Sequence, residues 1–316
     1  MEQVILVAGD EVGRVRELLV GRFAEDVGEV RLLGSGEFSR AFAFVAGGKD
    51  FVVRVNGAVH AAESFAKDEY AWRHFASRRL PIPRVVMIGQ EGEGYFAISE
   101  RAAGRVMTEL DPAERRALLP GLLVALEAIG AVDVRGARGF GDWDGEGKGK
   151  FGSWREYLAA VMEDESEGYY KNWHAMFEDG SLERGVFEAV YRHMLALLDQ
   201  CPEERGLIHN DYWFMNIVGE GARITGVIDW ANALYGDPLY DIARLSWGSA
   251  WPGWWYADGA AFLRERYGAL PGYDARLACY SCHFGLDDLR FYAKTGRRAE
   301  YAWARERLVR LVTSNE

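Results

Sequence analysis

The sequence predicts an α+β chain of two lobes, a small β-rich N-lobe over residues 1–102 and a larger helical C-lobe over 103–316. Three observations predict it. Strand-like apolar pieces, punctuated by Gly and Pro, crowd residues 29–99. From about residue 108 onward the apolar spacing becomes helical. One β-rich island, 208–230, then interrupts the helical half. Two lobes joined by a connector near 99–104 imply a cleft, a common place for a ligand.

Residues 10–25 read as an amphipathic helix, with Val12, Val15, Leu18, Leu19 and Phe23 on one stripe. Strand-like pieces follow at 29–33, 41–45 and 51–55, then a helix at 62–77 that Pro81-Ile82-Pro83 stops. Pieces 85–88 and 95–99 close a small antiparallel sheet. In the second half, 114–129, 154–162, 182–199 and 276–292 read as helices, and the Gly-rich stretch 136–152 reads as a loop.

Composition narrows the function classes. A length of 316 residues with 49% apolar residues supports one large or two medium domains with a substantial core. The net charge of −11 disfavours nucleic acid and anionic membranes and favours cations. The N-terminus MEQVILVAGDEVGR has neither a basic n-region nor a long apolar core, and three cysteines do not suit a disulfide scaffold. A cytoplasmic, monomeric protein without a membrane partner is the expectation. Cys279, Cys282 and His283 match the CxxCH haem-attachment pattern, but the segment reads as continuous helix and lacks the export signal that chemistry requires.

The chemistry concentrates in 207–241, LIHNDYWFMNIVGEGARITGVIDWANALYGDPLYD. It contains His209-x-Asp211-x4-Asn216, and the apolar strand 224–228 then delivers Asp229. Phosphoryl transfer needs a carboxylate to orient and deprotonate the attacking hydroxyl, and metal ligands to bridge the phosphates. Asp211 suits the first role. Asn216 and Asp229 suit the second, because Mg²⁺ takes hard oxygen ligands. Asp and Asn are common in turns, so an isolated D-x4-N carries little; the combination with IDW and GDPxxD carries much more. Upstream, Gly34, Ser35 and Gly36 lie between two strands, where backbone N–H groups could turn toward phosphates.

These residues resemble the aminoglycoside phosphotransferases, which share the protein-kinase-like fold. The resemblance extends over most of the chain and includes SRAFAF (39–44), VVRVN (52–56), WRHFA (72–76), LPIP (80–83), SWRE (153–156), GARITGVIDW (221–230) and GLDDL (285–289). It implies transfer of the γ-phosphate of ATP, or GTP, to a hydroxyl of a cationic aminoglycoside, with hygromycin B as acceptor and Mg²⁺ as cofactor. It implies Asp211 as base and Asn216 and Asp229 as metal ligands. Arg54 stands where kinases carry lysine, and a guanidinium forks phosphate oxygens. Glu69 falls at the position of its pairing carboxylate, beside Asp68, and Ser99 and Arg101 at the adenine-binding backbone positions.

For the acceptor, Asn210, Asp211, Asp287 and Asp288 are the candidates, with the run Glu163, Asp164, Glu165 and Glu167 equally readable as a solvated helix end. The cluster Trp247, Trp251, Trp254, Trp255 and Tyr256 reads as sugar-packing surface or as core. His209, Asp237 and Asp241 read as braces for the catalytic loop. Two other readings stay open: a kinase of another small alcohol, and a nucleotide-binding protein without catalysis.

Overall fold

Residues 11–23, 27–35, 39–58, 60–248 and 259–313 are described by a computed structural model. The chain forms two compact units, and they do not divide at residue 102. The first comprises Met1–Val132, Trp143–Lys148 and Asp211–Ala233, and the second Asp133–Asp142, Gly149–Asn210 and Leu234–Glu316. The sheet-rich region is N-terminal and the helical region C-terminal, as the composition change predicts.

In the first unit, helix α1 (Glu11–Val20) precedes strands β1 (Arg31–Ser35), β2 (Arg40–Ala46) and β3 (Lys49–Asn56). Helix α2 (Ala61–Phe75), β4 (Val85–Glu91) and β5 (Gly94–Glu100) follow. The strands pair antiparallel in the order β1-β2-β3-β5-β4. Alternation sorts the two faces. Phe42, Phe44, Phe51, Val53, Val55, Phe96 and Ile98 join Val15, Leu18 and Leu19 of α1 in one core. On the opposite side Ala97 packs with Ala61 and Phe65 of α2. Arg54 lies between Val53 and Val55 in β3, so the alternation turns it toward the α2 side.

Strand β6 (Arg105–Val106) and helix α3 (Pro112–Gly130) continue this unit. Asp111 caps α3 in a full capping box with Glu114, and Pro112 occupies the first turn, which supplies the start signal of that helix. The stretch 136–152, read as a loop, contains strands β7 (Phe140–Trp143) and β8 (Gly149–Phe151). Glycine hides the pattern: Gly139 and Gly149 pack backbone to backbone, where a Cβ on Gly139 would lie 2.2 Å from the Gly149 carbonyl oxygen.

The second unit contains helices α4 (Trp154–Ala159), α5 (Ala175–Glu178) and α6 (Arg184–Leu197), then β9 (Gly206–Ile208). The chain returns to the first unit with β10 (Ile217–Glu220) and β11 (Arg223–Val227), which form a sheet of order β11-β10-β6. Strand β12 (Leu234–Gly236) then completes a sheet of order β8-β7-β12-β9. Helices α7 (Leu239–Gly248), α8 (Gly259–Tyr267), α9 (Tyr273–Thr295) and α10 (Arg298–Thr313) finish the chain. Cys279, Cys282 and His283 are all buried on α9, and the Tyr240 hydroxyl lies 2.8 Å from His283 Nδ1.

Candidate active site

The loop after β9 is held from below. Asp241, in the first turn of α7, accepts the backbone N–H groups of His209 and Asn210, both at 2.8 Å. Bonds from two amides to one buried carboxylate are charge-assisted and fix the loop's backbone. They hold Asn210 in the left-handed region, at φ 63°. Asp237 does not share this work. It takes a bidentate grip from Arg276 (2.8 and 2.6 Å) and a bond from the Tyr280 hydroxyl (2.5 Å), tying its turn to α9 instead.

Asp211 opens the segment that belongs to the first unit. A single 3₁₀ turn, Phe214–Asn216, buries Phe214 and Asn216 and leaves Met215 exposed. Asn216 Nδ2 donates to both the backbone oxygen and Oδ2 of Asp211, at 2.8 Å each. The amide therefore orients the carboxylate. Among the described residues no donor reaches Asn216 Oδ1. Ile228 N–H donates to the Asn216 carbonyl at 3.0 Å, which draws the end of β11 onto the loop and sets Asp229 beside it. Asp229 adopts φ 66° and its side chain is 42% exposed. An amide oxygen that no donor occupies and a partly exposed carboxylate make a hard-oxygen donor set that suits Mg²⁺ with several retained waters.

Arg54 reaches this group from β3. Its guanidinium bonds the Asp68 carboxylate, lies 3.6 Å from Asp229 Oδ1, and stacks 5.1 Å from the Phe65 ring centre. Burial works against its charge, but the carboxylates of Asp68 and Asp229 raise it above the ordinary arginine range. Burial pushes the Asp68 carboxyl up, and the Arg54 cation pulls it back. The expected partner, Glu69, is not the one Arg54 uses: Glu69 bonds Arg73 at 2.6 Å on the exposed side. Helix geometry explains the correction. Ala61, Phe65, Asp68, Ala71 and Phe75 are buried together along α2, and Glu69 lies about 100° further round. That apolar stripe was legible in the sequence and would have selected Asp68.

Gly34 in β1 pairs with Ala41, just past a register shift. Among the described residues, a Cβ built on it meets nothing within 4 Å. Ser35 ends β1 opposite Arg40, and Gly36 lies outside the described residues. Ser99 pairs with Val52 on one side and Val85 on the other. The Arg101 N–H is committed to the Asp50 carbonyl at 3.0 Å and cannot serve a base edge; Ala102 is the next residue whose N–H is uncommitted among the described residues.

The acceptor candidates Asp287 and Asp288 sit in the second unit on α9, and each is met by arginine. Asp287 bonds Arg290 at 2.8 Å, and burial notwithstanding, Arg290 and Arg244 hold its carboxyl below the usual range. Asp288 accepts from Trp247 Nε1 at 3.1 Å and lies 3.9 Å from Arg244. Arg290 also lies 3.6 Å from Glu165 and against the rings of Tyr170 and Trp173. Trp247 packs on Phe284 and Trp303; Trp251, Trp254, Trp255 and Tyr256 lie outside the described residues.

A sequence model of the phosphotransferase enzyme family (APH) matches residues 29–280. The chain belongs to that family. Among the relatives of this phosphotransferase, hygromycin-B 4-O-kinase of Escherichia coli is 35% identical over 95% of this chain and 85% of that protein. The crystal structure of a thermostable mutant of aminoglycoside phosphotransferase APH(4)-Ia, in ternary complex with AMP-PNP and hygromycin B, is 32% identical. It superposes with a TM-score of 0.83, covering 95% of this chain and 98% of that one. The GDP complex of aminoglycoside 2'-phosphotransferase-IIIa, 14% identical over 98% of this chain and 100% of that one, has a TM-score of 0.66 and shows the fold alone. The phosphotransferase thus has the kinase-like fold of the aminoglycoside enzymes. Its sequence reading named Asp211, Asn216, Asp229 and Arg54 but missed Asp68, whose carboxylate also accepts the Trp230 N–H at 2.8 Å.

Proposed function

We propose that this phosphotransferase moves the γ-phosphate of ATP to a hydroxyl of hygromycin B in the cytoplasm, and that the modification confers resistance to that antibiotic. The observation that carries the reading is the Asp211 carboxylate, oriented by Asn216, with the end of β11 and its Asp229 drawn to the same loop by the Ile228–Asn216 hydrogen bond. A 35% identical relative that is a hygromycin-B 4-O-kinase supports the acceptor. Asp211 orients the acceptor hydroxyl and takes its proton as the new O–P bond forms. The bond from the γ-phosphorus to the β-phosphate oxygen breaks, and ADP leaves. Asn216 Oδ1 and Asp229 would hold Mg²⁺, which neutralises the phosphate oxygens when bound. Arg54 forks phosphate oxygens while Asp68 holds its other edge. The backbone at Gly34, which no described residue covers, faces the phosphates, and Ala102 N–H, rather than that of Arg101, serves the base edge.

The acidic net charge supports a cationic acceptor. Asp287 enters that contact only in competition with Arg290, and Asp288 only in competition with Arg244. The test is nucleoside-diphosphate release with Mg²⁺ and ATP or GTP across hygromycin B, other aminoglycosides, a macrolide and choline. Turnover with hygromycin B is the expected result. Turnover with another compound alone replaces the acceptor; nucleotide binding without turnover on any of them overturns the reading.

A further inference from the structure

Two consecutive residues of α2 grip the turn that follows Asp229. Residues 230–233 form a turn closed by Ala233 N–H on the Trp230 carbonyl at 3.0 Å. Asp68 Oδ1 accepts the N–H at its start, from Trp230, at 2.8 Å. Lys67 Nζ donates to the carbonyl at its end, on Ala233, at 3.2 Å. Lys67 is only 2% exposed, an uncommon state for a lysine, and its ammonium lies 4.8 Å from the Trp143 ring centre.

Trp143 opens a hairpin tip that clamps the same helix. The tip, Trp143–Lys148, belongs to the first unit. Asp144 Oδ1 accepts the N–H groups of Glu146 and Lys148, both at 3.0 Å, which fixes its shape. A Cβ on Gly145 would lie 2.7 Å from Ala66 Cβ, and one on Gly147 (φ 78°) would lie 2.1 Å from Tyr70 Cζ. The tip therefore rests directly on one turn of α2, across the residues that flank Lys67 and Asp68. A side chain on Gly145 would need the helix or the tip to move, and one on Gly147 would need the Tyr70 ring to move as well as a strained positive φ.

We propose that Lys67 is a positioning residue for Asp229, and that the hairpin tip holds α2 in the register that lets Lys67 and Asp68 grip both ends of the following turn. Asp229 sits at positive φ immediately before that turn, so its backbone direction is set by where the turn is anchored. The inference rests on the reading of Asp229 as a metal ligand. It adds a lysine and a glycine pair to the residues on which metal-linked nucleotide binding depends.

Calorimetric titration with ADP, with and without Mg²⁺, tests it without any acceptor. The wild type is expected to gain affinity when Mg²⁺ is added. Lys67→Met keeps the apolar stem and removes the ammonium. It is expected to lose about tenfold of that gain while metal-free ADP affinity stays within about twofold. Gly145→Ala is expected to act in the same direction, and the pair Gly145→Ala with Ala66→Gly, which removes the clashing methyl, to restore the gain. The rescue also decides the question if Lys67→Met does not fold. A Lys67→Met protein that retains the full gain, or a Gly145→Ala defect that Ala66→Gly leaves unrelieved, overturns the proposal. Asp229→Asn is the control: if it keeps the Mg²⁺-linked gain, the metal-ligand reading fails and the positioning role falls with it.

Discussion

Asp211 is held in one orientation, since Asn216 bonds one carboxylate oxygen and the backbone oxygen of the same residue. Asp211→Asn is therefore expected to lower kcat by about 10²–10⁴-fold with ADP affinity within about twofold, measured by steady-state kinetics beside calorimetry. The two neighbours on α2 separate just as cleanly. Asp68→Asn removes the partner of Arg54 and is expected to raise the nucleotide KM about tenfold. Glu69→Gln breaks only a partly exposed pair with Arg73 and is expected to change KM by less than about twofold. Equal effects of the two variants would reverse the assignment. Arg54 itself meets two carboxylates at once, which a lysine ammonium does less well because it has no planar fork.

At the scale of elements, the loop after β9 depends on the first turn of α7. Asp241→Ala leaves the N–H groups of His209 and Asn210 without their acceptor in a buried setting. The expected loss is about 3 kcal/mol of stability, read as a lower urea midpoint. Helix α9 carries a pH dependence. Burial, opposed by the Asp287 carboxylate, pushes His283 down to about 3, below the unfolded value of about 6.5. The unfolded chain thus binds the proton first. The contribution of His283 is complete above about pH 6.5 and declines as pH falls toward 3, by about 2 kcal/mol at pH 5. His283→Gln is expected to flatten the fall of Tm between pH 7 and 5. Elements with clear periodicity, such as α2 and β3, were legible within a few residues. The β7–β8 hairpin was not, because its glycines answer to neighbours distant in sequence, Ala66 and Tyr70 among them.

Over the whole molecule, a net charge of −11 sets the long-range field that a cationic acceptor meets. The KM for hygromycin B is expected to rise several-fold between about 0.05 and 0.5 M salt, and the KM for an uncharged acceptor is expected to stay flat; equal slopes would remove the field from the account. Among the described residues no helix is long and apolar enough to cross a membrane. By itself the sequence determined most of the order of elements, the β7–β8 hairpin excepted, and the motif that carries Asp211, Asn216 and Asp229, because those follow from short spacings and local periodicity; Arg54 followed from the resemblance to the family. Only the tertiary structure decided that Arg101 has spent its N–H, that Asp287 and Asp288 face arginines, and that residues 211–233 belong with the N-terminal unit. Each of those depends on which of several possible partners a group meets in the folded chain, one turn of helix away for Asp287 and Arg290 and tens of residues away for Arg101 and Asp288, and the sequence pattern does not rank those partners.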